Sequence, residues 1–242
     1  MKDNNPAELA RQLNEEGYCV VEGAHGPAAL AHQEGLLYGV WEGRGKPPLT
    51  GFGLGVHPLL THAPEFAAYF DCAAVEAVLE AAFGDRPRLC HTGARIASED
   101  SAANIGWHHH YGWAPEGAAG RSRIERVVVN YYVKGVSPAI GSLWAIPRRV
   151  GEPIPDPPGE RSADWPGQVE LAVPPGAAVI LDTALYHTAT RGSEPGMRYH
   201  WGGHYQGWAD TRPHREDMDR SEWAARTELL ARHPGLKRLL VP

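Results

Sequence analysis

The segment Ala177-Ala178-Val179-Ile180-Leu181-Asp182-Thr183-Ala184-Leu185-Tyr186-His187 follows the turn Pro175-Gly176 and predicts an apolar strand that ends in a histidine. It is one of six segments after residue 87 that are rich in β-branched or aromatic residues and are separated by Gly/Pro turns. These segments are Arg88–Ile96, Ile124–Val133, Gly141–Pro147, Gln168–Val173, Ala177–His187 and Met197–Tyr205. Short strands without alternating helices indicate a closed or sandwiched antiparallel sheet.

Helical patterns flank this β region. Before it, the sequence predicts helices over Pro6–Glu16, Pro27 to about Trp41 and Pro64–Phe83, the last broken near Asp71, with a short strand at Tyr18–Val21. After it, a helix is expected over Ser221–His233. The predicted fold is therefore mainly β with flanking α-helices, a double-stranded β-helix of the jelly-roll, cupin-like kind.

We expect one domain over residues 1–242, since jelly-roll domains of this length often stay undivided. Residues 1–87 would form a mostly helical buttress, 88–207 the β core and 208–242 a C-terminal helical tail. That tail is expected to pack either on the sheet or on another subunit, which would make a homodimer. The Gly/Pro-rich loops Gly43–Pro58 and Arg148–Gly167 are candidate lids over the mouth of the barrel.

Composition excludes several classes of partner. The 23 basic and 29 acidic side chains give a net charge of −6, which argues against nucleic-acid binding. No apolar run approaches the length of a membrane span, and the N-terminus is too polar for a signal peptide. The three cysteines, Cys19, Cys72 and Cys90, form neither a zinc motif nor a disulfide framework, so we expect a cytoplasmic protein.

The segment Trp107-His108-His109-His110-Tyr111-Gly112-Trp113 carries the most specific chemical signal. On a strand, His108 and His110 would project to one face and His109 to the other. His187 is the candidate third ligand of one metal ion. Three ligands on one face of an octahedron leave open positions for cosubstrate, substrate and O₂, as in non-haem iron oxygenases. The alternative is a surface patch or a hydrogen-bonded core cluster.

Arg198 strengthens the metal interpretation, because it stands eleven residues after His187 and opens the strand Arg198–Trp201. A guanidinium can bind a carboxylate through two hydrogen bonds, so an arginine one strand from a metal could hold the far carboxylate of a dicarboxylate cosubstrate. His200 and His204 share the face of Arg198 and either contact the substrate or fill space. The aromatic residues that suit an apolar pocket wall, or plain core, are Trp113, Tyr131, Tyr132, Trp144 and Trp201.

The order of these motifs resembles the phytanoyl-CoA dioxygenase family of Fe(II)/2-oxoglutarate oxygenases. The matching segments are, in chain order, Leu13–Val21, Trp107–His110, Gly141–Pro147, Pro175-Gly176 with Asp182 and His187, and Arg198. The resemblance covers most of the chain. It implies that His108 and His187 bind Fe(II), that Arg198 binds the 2-oxoglutarate carboxylate, and that Asn130 lines the cosubstrate site.

The chain departs from the family pattern in two places. His110 replaces the metal-binding carboxylate, and Arg148-Arg149-Val150 replaces a Gly-Ser-His segment. A neutral imidazole raises the net charge of the site by one unit, which favours anions in the open positions. It also makes the identity of the metal less certain, since imidazole suits zinc, copper and nickel as well as iron.

Four functions follow from this site. The chain is a 2-oxoglutarate-dependent oxygenase that hydroxylates, desaturates or cyclises a small molecule, or a three-histidine oxygenase whose substrate binds iron directly. It is otherwise a non-redox lyase or isomerase, or a metal-free binding protein. Retention of Arg198 favours the first. The expected substrate is a small secondary metabolite or an amino-acid-like compound, with O₂ as the second reactant.

Overall fold

The computed structural model describes residues 5–102, 104–110, 119–160, 164–212 and 227–240. Within these ranges nine strands form two antiparallel sheets. The strands are β1 (Tyr18–Val21), β2 (Leu54–Val56), β3 (Pro87–Ala97), β4 (Arg126–Tyr132), β5 (Leu143–Ala145), β6 (Val169–Glu170), β7 (Ala178–Asp182), β8 (His187–Ala189) and β9 (Arg198–Gly207). The larger sheet has the order β1-β7-β4-β9-β3-β2 and the smaller one β6-β5-β8. This is the predicted jelly roll.

The helices lie before and after the strands that form the core. They are α1 (Pro6–Glu16), α2 (Pro27–Gly43), α3 (Leu59–His62), α4 (Ala67–Phe70), α5 (Ala73–Phe83), α6 (Thr227–Arg232) and α7 (Pro234–Leu240), with a 3-10 turn at Pro64–Phe66. The break predicted near Asp71 lies between α4 and α5. Residues 221–226 of the predicted tail helix fall outside the described ranges, and the rest of the tail divides into two helices at His233.

The first helix and strand have the predicted bounds, and local chemistry explains both ends of the helix. The Asn5 side chain accepts hydrogen bonds from the backbone N–H groups of Ala7 and Glu8. Gly17 ends α1 with φ of 81°, a left-handed conformation that favours glycine. The chain can then turn directly into β1, which pairs with β7.

The predicted strand Ala177–His187 is in fact two strands, so the prediction of one continuous strand is wrong. β7 ends at Asp182 in the larger sheet, and the chain enters the smaller sheet at His187. Between them, Leu185 N–H donates to the Asp182 carbonyl, which closes a turn. The apolar run hides the turn because the side chains of Ala184 and Leu185 are themselves buried. His187 therefore begins a strand.

The predicted loop Gly43–Pro58 contains the short edge strand β2, which pairs with β3 from Leu54 to Val56. Its hydrogen bonds come from this tertiary contact, and the glycines around it gave no local strand signal.

The face of the larger sheet that points away from the smaller sheet carries the main hydrophobic core. Trp201 is fully buried there and stacks on Tyr131. The helices α4 and α5 and the C-terminal α7 cover this side, where α7 buries Leu236 and Leu239 in the hydrophobic core.

No helix of the described residues is long and apolar enough to cross a membrane.

Candidate metal centre

The backbones of His108 and His187 form an antiparallel bridge. His108 N–H donates to the His187 carbonyl at 3.1 Å, and His187 N–H donates to the His108 carbonyl at 2.9 Å. The segment of His108 and His110 thus forms an isolated bridge beside β8 and not a regular strand. The predicted alternation holds nevertheless, because the ring of His109 points to the other side and packs on Tyr186 at 4.8 Å.

The structure brings the three predicted histidines together. One ring nitrogen of each of His108, His110 and His187 lies within 4.8 Å of the others. The Nε2 atoms of His110 and His187 are 3.3 Å apart. Two nitrogen ligands that bind one ion at about 2.1 Å and at right angles are separated by about 3 Å. The spacing therefore fits a shared ion.

Backbone carbonyls orient two of the rings. His108 Nδ1 donates to the Gly106 carbonyl at 2.9 Å, and His187 Nδ1 donates to the Leu185 carbonyl at 3.1 Å. A hydrogen bond at Nδ1 fixes the tautomer and leaves Nε2 as the ligand atom. Burial, and next the charges of His108 and His110, lower the pKa of His187 well below its ordinary value. Its imidazole is then neutral, which is the form that binds metals.

A salt-bridge cluster lies directly behind the site. The carboxylate of Asp182, at the end of β7, is 1% exposed and pairs with Arg121 at 2.9 Å and with Arg148 at 3.3 Å. Its Oδ1 accepts a hydrogen bond from Ala184 N–H, and the intervening Thr183 carbonyl accepts one from His110 N–H at 2.8 Å. The cluster thus holds the turn from which both His110 and His187 are positioned.

The rings face a cavity of about 390 Å³ between the two sheets. Besides Ala94 and Gly203, the residues that three neighbouring strands of the larger sheet contribute to its lining are every second one along each strand, as strand alternation favours. These are His91, Gly93, Arg95 and Ala97 on β3, Val128, Asn130 and Tyr132 on β4, and Arg198, His200, Gly202 and His204 on β9. The predicted shared face of Arg198, His200 and His204 is present.

Arg198 lies in this cavity with most of its hydrogen-bonding capacity unused. Its Nη1 donates to the Thr190 carbonyl at 3.1 Å, whereas Nε and Nη2 are buried and have no hydrogen-bond partner among the described residues. Burial lowers the pKa of the guanidinium. Buried donors without partners are costly, so this arrangement fits a carboxylate ligand that accepts both hydrogen bonds.

Other sequence-predicted residues divide between cavity and core. Asn130 lines the cavity from β4, and Tyr132 lies beside Arg198 with its ring centroid 5.6 Å from the guanidinium carbon. Tyr131 and Trp201 belong to the core on the other side of the sheet. Trp113 lies outside the described residues, and Trp144 does not line the cavity.

One predicted lid lines the cavity and the other does not. Gly51, Phe52, Gly55 and His57 of the Gly43–Pro58 segment lie at its wall. None of the described residues of Arg148–Gly167 does, so the cavity gives that interpretation no support, and the second lid stays a prediction. Trp165 of this loop packs instead on Trp107 and Tyr186. These contacts lie on the side of the His108–His110 segment that faces away from the metal site.

Several cavity residues were not predicted from the sequence, among them His57, His91 and Arg95. His57 Nδ1 lies 3.1 Å from His91 Nε2, and His91 packs edge-on against His204, which in turn packs against His110. The signal for Arg95 was present, because it stands between the apolar residues Ala94 and Ile96 of β3. His91 is itself buried and lies at the β-bulge after Leu89, so alternation did not reveal it. His57 gave no signal, since its place beside Gly93 depends on the pairing of β2 with β3.

Comparison with solved structures finds the same fold. The chain matches the non-haem α-ketoglutarate-dependent carbocyclase SnoK from nogalamycin biosynthesis at 14% identity and a TM-score of 0.64, covering 90% of each chain. It matches HygX from Streptomyces hygroscopicus, with nickel and 2-oxoglutarate bound, at 16% identity and 0.65, covering 86% of this chain and 88% of that one. It matches EctD from S. alaskensis, with 2-oxoglutarate and 5-hydroxyectoine, at 16% and 0.64, covering 87% and 79%.

No model of a protein family matches the chain, and no curated protein is significantly similar to it in sequence. At the identities above, the structural likeness establishes the fold alone.

Proposed function

We propose that this chain is a non-haem Fe(II) oxygenase of the phytanoyl-CoA dioxygenase type, which uses 2-oxoglutarate and O₂ to oxidise a small molecule in secondary metabolism. The observation that carries the proposal is the presence, in one cavity, of three converging imidazoles and a guanidinium with two buried donors that have no partner in the described part of the chain. The similar structures of SnoK, HygX and EctD support it, because each is an α-ketoglutarate-dependent enzyme or contains 2-oxoglutarate.

In this proposal His108, His110 and His187 hold the iron, and their Nδ1 contacts with backbone carbonyls keep the rings of His108 and His187 in a ligating orientation. Arg198 binds the distal carboxylate of 2-oxoglutarate, with Asn130 beside it on β4. When bound, iron and 2-oxoglutarate together supply the oxidising chemistry that the side chains of the protein lack. The protein positions the reactants and encloses them.

A second candidate function follows from the absence of a carboxylate among the three converging ligands. A site with three neutral ligands keeps the full charge of the ion and attracts an anionic substrate directly. The chain would then be a three-histidine oxygenase in which Arg198 binds the substrate. The two functions differ in whether 2-oxoglutarate is consumed.

Single-turnover reactions distinguish the candidates. Protein loaded anaerobically with Fe(II) and 2-oxoglutarate is mixed with O₂, and succinate is measured with and without a panel of small molecules. Succinate formed in proportion to iron, and absent with Arg198→Gln, is the expected result. Oxidised panel compound without succinate would favour the three-histidine oxygenase. No oxidation of any kind at full iron occupancy would favour the non-redox lyase or isomerase, and failure of the protein to retain iron would favour the metal-free binding protein.

We also propose that the protein works in the cytoplasm as a single domain, without nucleic-acid or membrane partners. The three cysteines are free and buried, as expected in a reducing compartment. The apolar face of α7 packs on its own core, so the described part of the tail supplies no argument for a homodimer.

A further inference from the structure

A second arginine enters the cavity from the strand next to Arg198. Arg95 lies on β3 opposite His200 of β9, two positions along the ladder from the pair Ala97 and Arg198. Because side chains two positions apart share a face, both guanidiniums point into the cavity. Burial lowers the pKa of Arg95, and the nearby charge of Arg198 lowers it further.

Arg95 has no carboxylate partner among the described residues. Its contact is with an aromatic ring, since the guanidinium carbon lies 5.2 Å from the ring centroid of Phe52. Phe52 is 57% exposed, which is unusual for a large apolar side chain, and it lines the cavity at its mouth. A half-buried arginine beside a like charge is unfavourable unless an anion joins it.

The charge balance of the site also favours an anion beside Arg95. This step rests on the proposed function. A divalent ion held by neutral ligands and two guanidiniums carry more positive charge than the two carboxylates of 2-oxoglutarate offset. The acidic side chains that line the cavity, Glu99 and Glu194, are exposed at its rim, and Glu99 accepts a hydrogen bond from Gly196 N–H. The remaining positive charge at Arg95 therefore selects an anionic partner.

We propose that Arg95 binds the carboxylate of the primary substrate, and that the substrate is a small organic acid whose apolar part packs on Phe52. Arg198 lies deeper, with two donors fully shielded from solvent, and suits the cosubstrate. Arg95 is only partly buried and lies beside the exposed ring of Phe52 at the entrance, so its donors remain open to a second ligand. The imidazoles of His57, His91 and His200 line the same space and offer further polar contacts.

The test is calorimetric binding to the anaerobic Fe(II) protein saturated with 2-oxoglutarate, and it requires no turnover. The probes are benzoate, phenylacetate and cinnamate, each compared with its neutral amide. At least one acid should bind tenfold or more tightly than its amide. Arg95→Gln should abolish that preference, while Arg95→Lys should retain part of it, because the lysine keeps the charge but loses the paired donors.

The matched control is Arg191→Gln at the cavity rim, whose guanidinium is bound to the backbone carbonyls of Glu99 and Ser101, and it should leave the acid preference intact. The affinity for 2-oxoglutarate, measured in each variant, should change less than twofold in Arg95→Gln and fall strongly in Arg198→Gln. Retained cosubstrate binding also shows that the Arg95 variant is folded.

Equal binding of every acid and its amide, with 2-oxoglutarate bound normally, would overturn this inference and leave the proposed function standing. Loss of 2-oxoglutarate affinity in Arg95→Gln as large as in Arg198→Gln would also overturn it, since Arg95 would then belong to the cosubstrate site. Failure of the wild-type protein to bind 2-oxoglutarate would overturn the proposed function and this inference with it.

Discussion

His108 and His187 are joined by two reciprocal backbone hydrogen bonds, although 78 residues of chain lie between them. This bridge fixes the distance between two of the three imidazoles before any ion binds. His110 is tied to the same turn through the carbonyl of Thr183. The site is therefore preorganised by backbone contacts, and the side chains serve as ligands.

Removal of any one imidazole should remove the metal. We expect His108→Ala, His110→Ala and His187→Ala each to weaken Fe(II) affinity by more than ~100-fold, because even partners outside the ligand sphere contribute 10–100-fold. The matched control is His109→Ala, whose ring packs on Tyr186 on the other side of the same segment. Metal content after anaerobic dialysis against a weak chelator measures the effect. Equal iron retention by His109→Ala and His110→Ala would contradict the proposed ligand set.

Gly141 borders Arg198, and a methyl group there should interfere with the cosubstrate arginine. A Cβ at Gly141 would lie 2.5 Å from Arg198 Nη1 and 2.7 Å from the Thr190 carbonyl. We expect Gly141→Ala to displace the guanidinium and weaken 2-oxoglutarate binding about tenfold or more, by the loss of a charged hydrogen bond. Gly196→Ala is a close control, because Gly196 has the same φ of 134° and nothing within 4 Å of the added methyl. Titration of 2-oxoglutarate into both metal-loaded variants measures the difference, and equal affinities would refute the placement of the cosubstrate.

Asp182 should be important for stability as well as for the site. Asp182→Asn leaves Arg121 and Arg148 buried without their carboxylate, and breaking a buried pair in this way costs about 3–5 kcal/mol. The control Asp164→Asn, at an exposed position, should change the free energy of unfolding by less than about 0.5 kcal/mol. Urea denaturation monitored by circular dichroism gives both values. A loss below about 1 kcal/mol for Asp182→Asn would show that the cluster does not stabilise the fold.

The stability of the metal-free protein should fall as the pH drops below neutrality, in part through His25. Burial lowers the pKa of His25 to about 4, and its ring packs against Tyr131 and Trp201. The unfolded chain, with a histidine pKa near 6.5, then binds more protons than the folded one, so stability is lost as the pH falls from about 6.5 toward 4. We expect His25→Phe to reduce this loss by up to about 2 kcal/mol. Unfolding curves at pH 7 and pH 4.5 measure it, and an unchanged pH dependence in the variant would contradict the burial of a neutral ring.

Much of the fold was predictable because its signals are local. The bounds of α1 follow from Asn5, Pro6 and Gly17, and those of β1 from its β-branched residues. The turn between β7 and β8 was not predictable, because Ala184, Leu185 and Tyr186 within it are buried and apolar like residues of a strand. Secondary structure that depends on a distant partner, such as β2 on β3, gives no sign in its own sequence.

The candidate site was also predictable where its signals are local, and not where they depend on distant parts of the chain. The spacing of His108 and His110 predicted their shared face, and the short separation of His187 and Arg198 in the chain predicted that both belong to one site. Both line the cavity, although they lie in different sheets. His57 reaches the cavity only because Gly93 leaves room for its ring, which is a property of the assembled sheet. Arg95 looked like an ordinary strand arginine until the register with His200 placed it beside Arg198.

The most direct test of the central claim is an anaerobic titration of Fe(II) into the protein in the presence of 2-oxoglutarate, followed by visible absorption. A shared site for iron and cosubstrate predicts a metal-to-ligand charge-transfer band that saturates at one iron per chain. The band should be absent in His110→Ala and His187→Ala and weakened in Arg198→Gln. If iron bound at this stoichiometry without such a band, or if the band persisted after removal of either histidine, the three imidazoles and Arg198 would not form the centre described above.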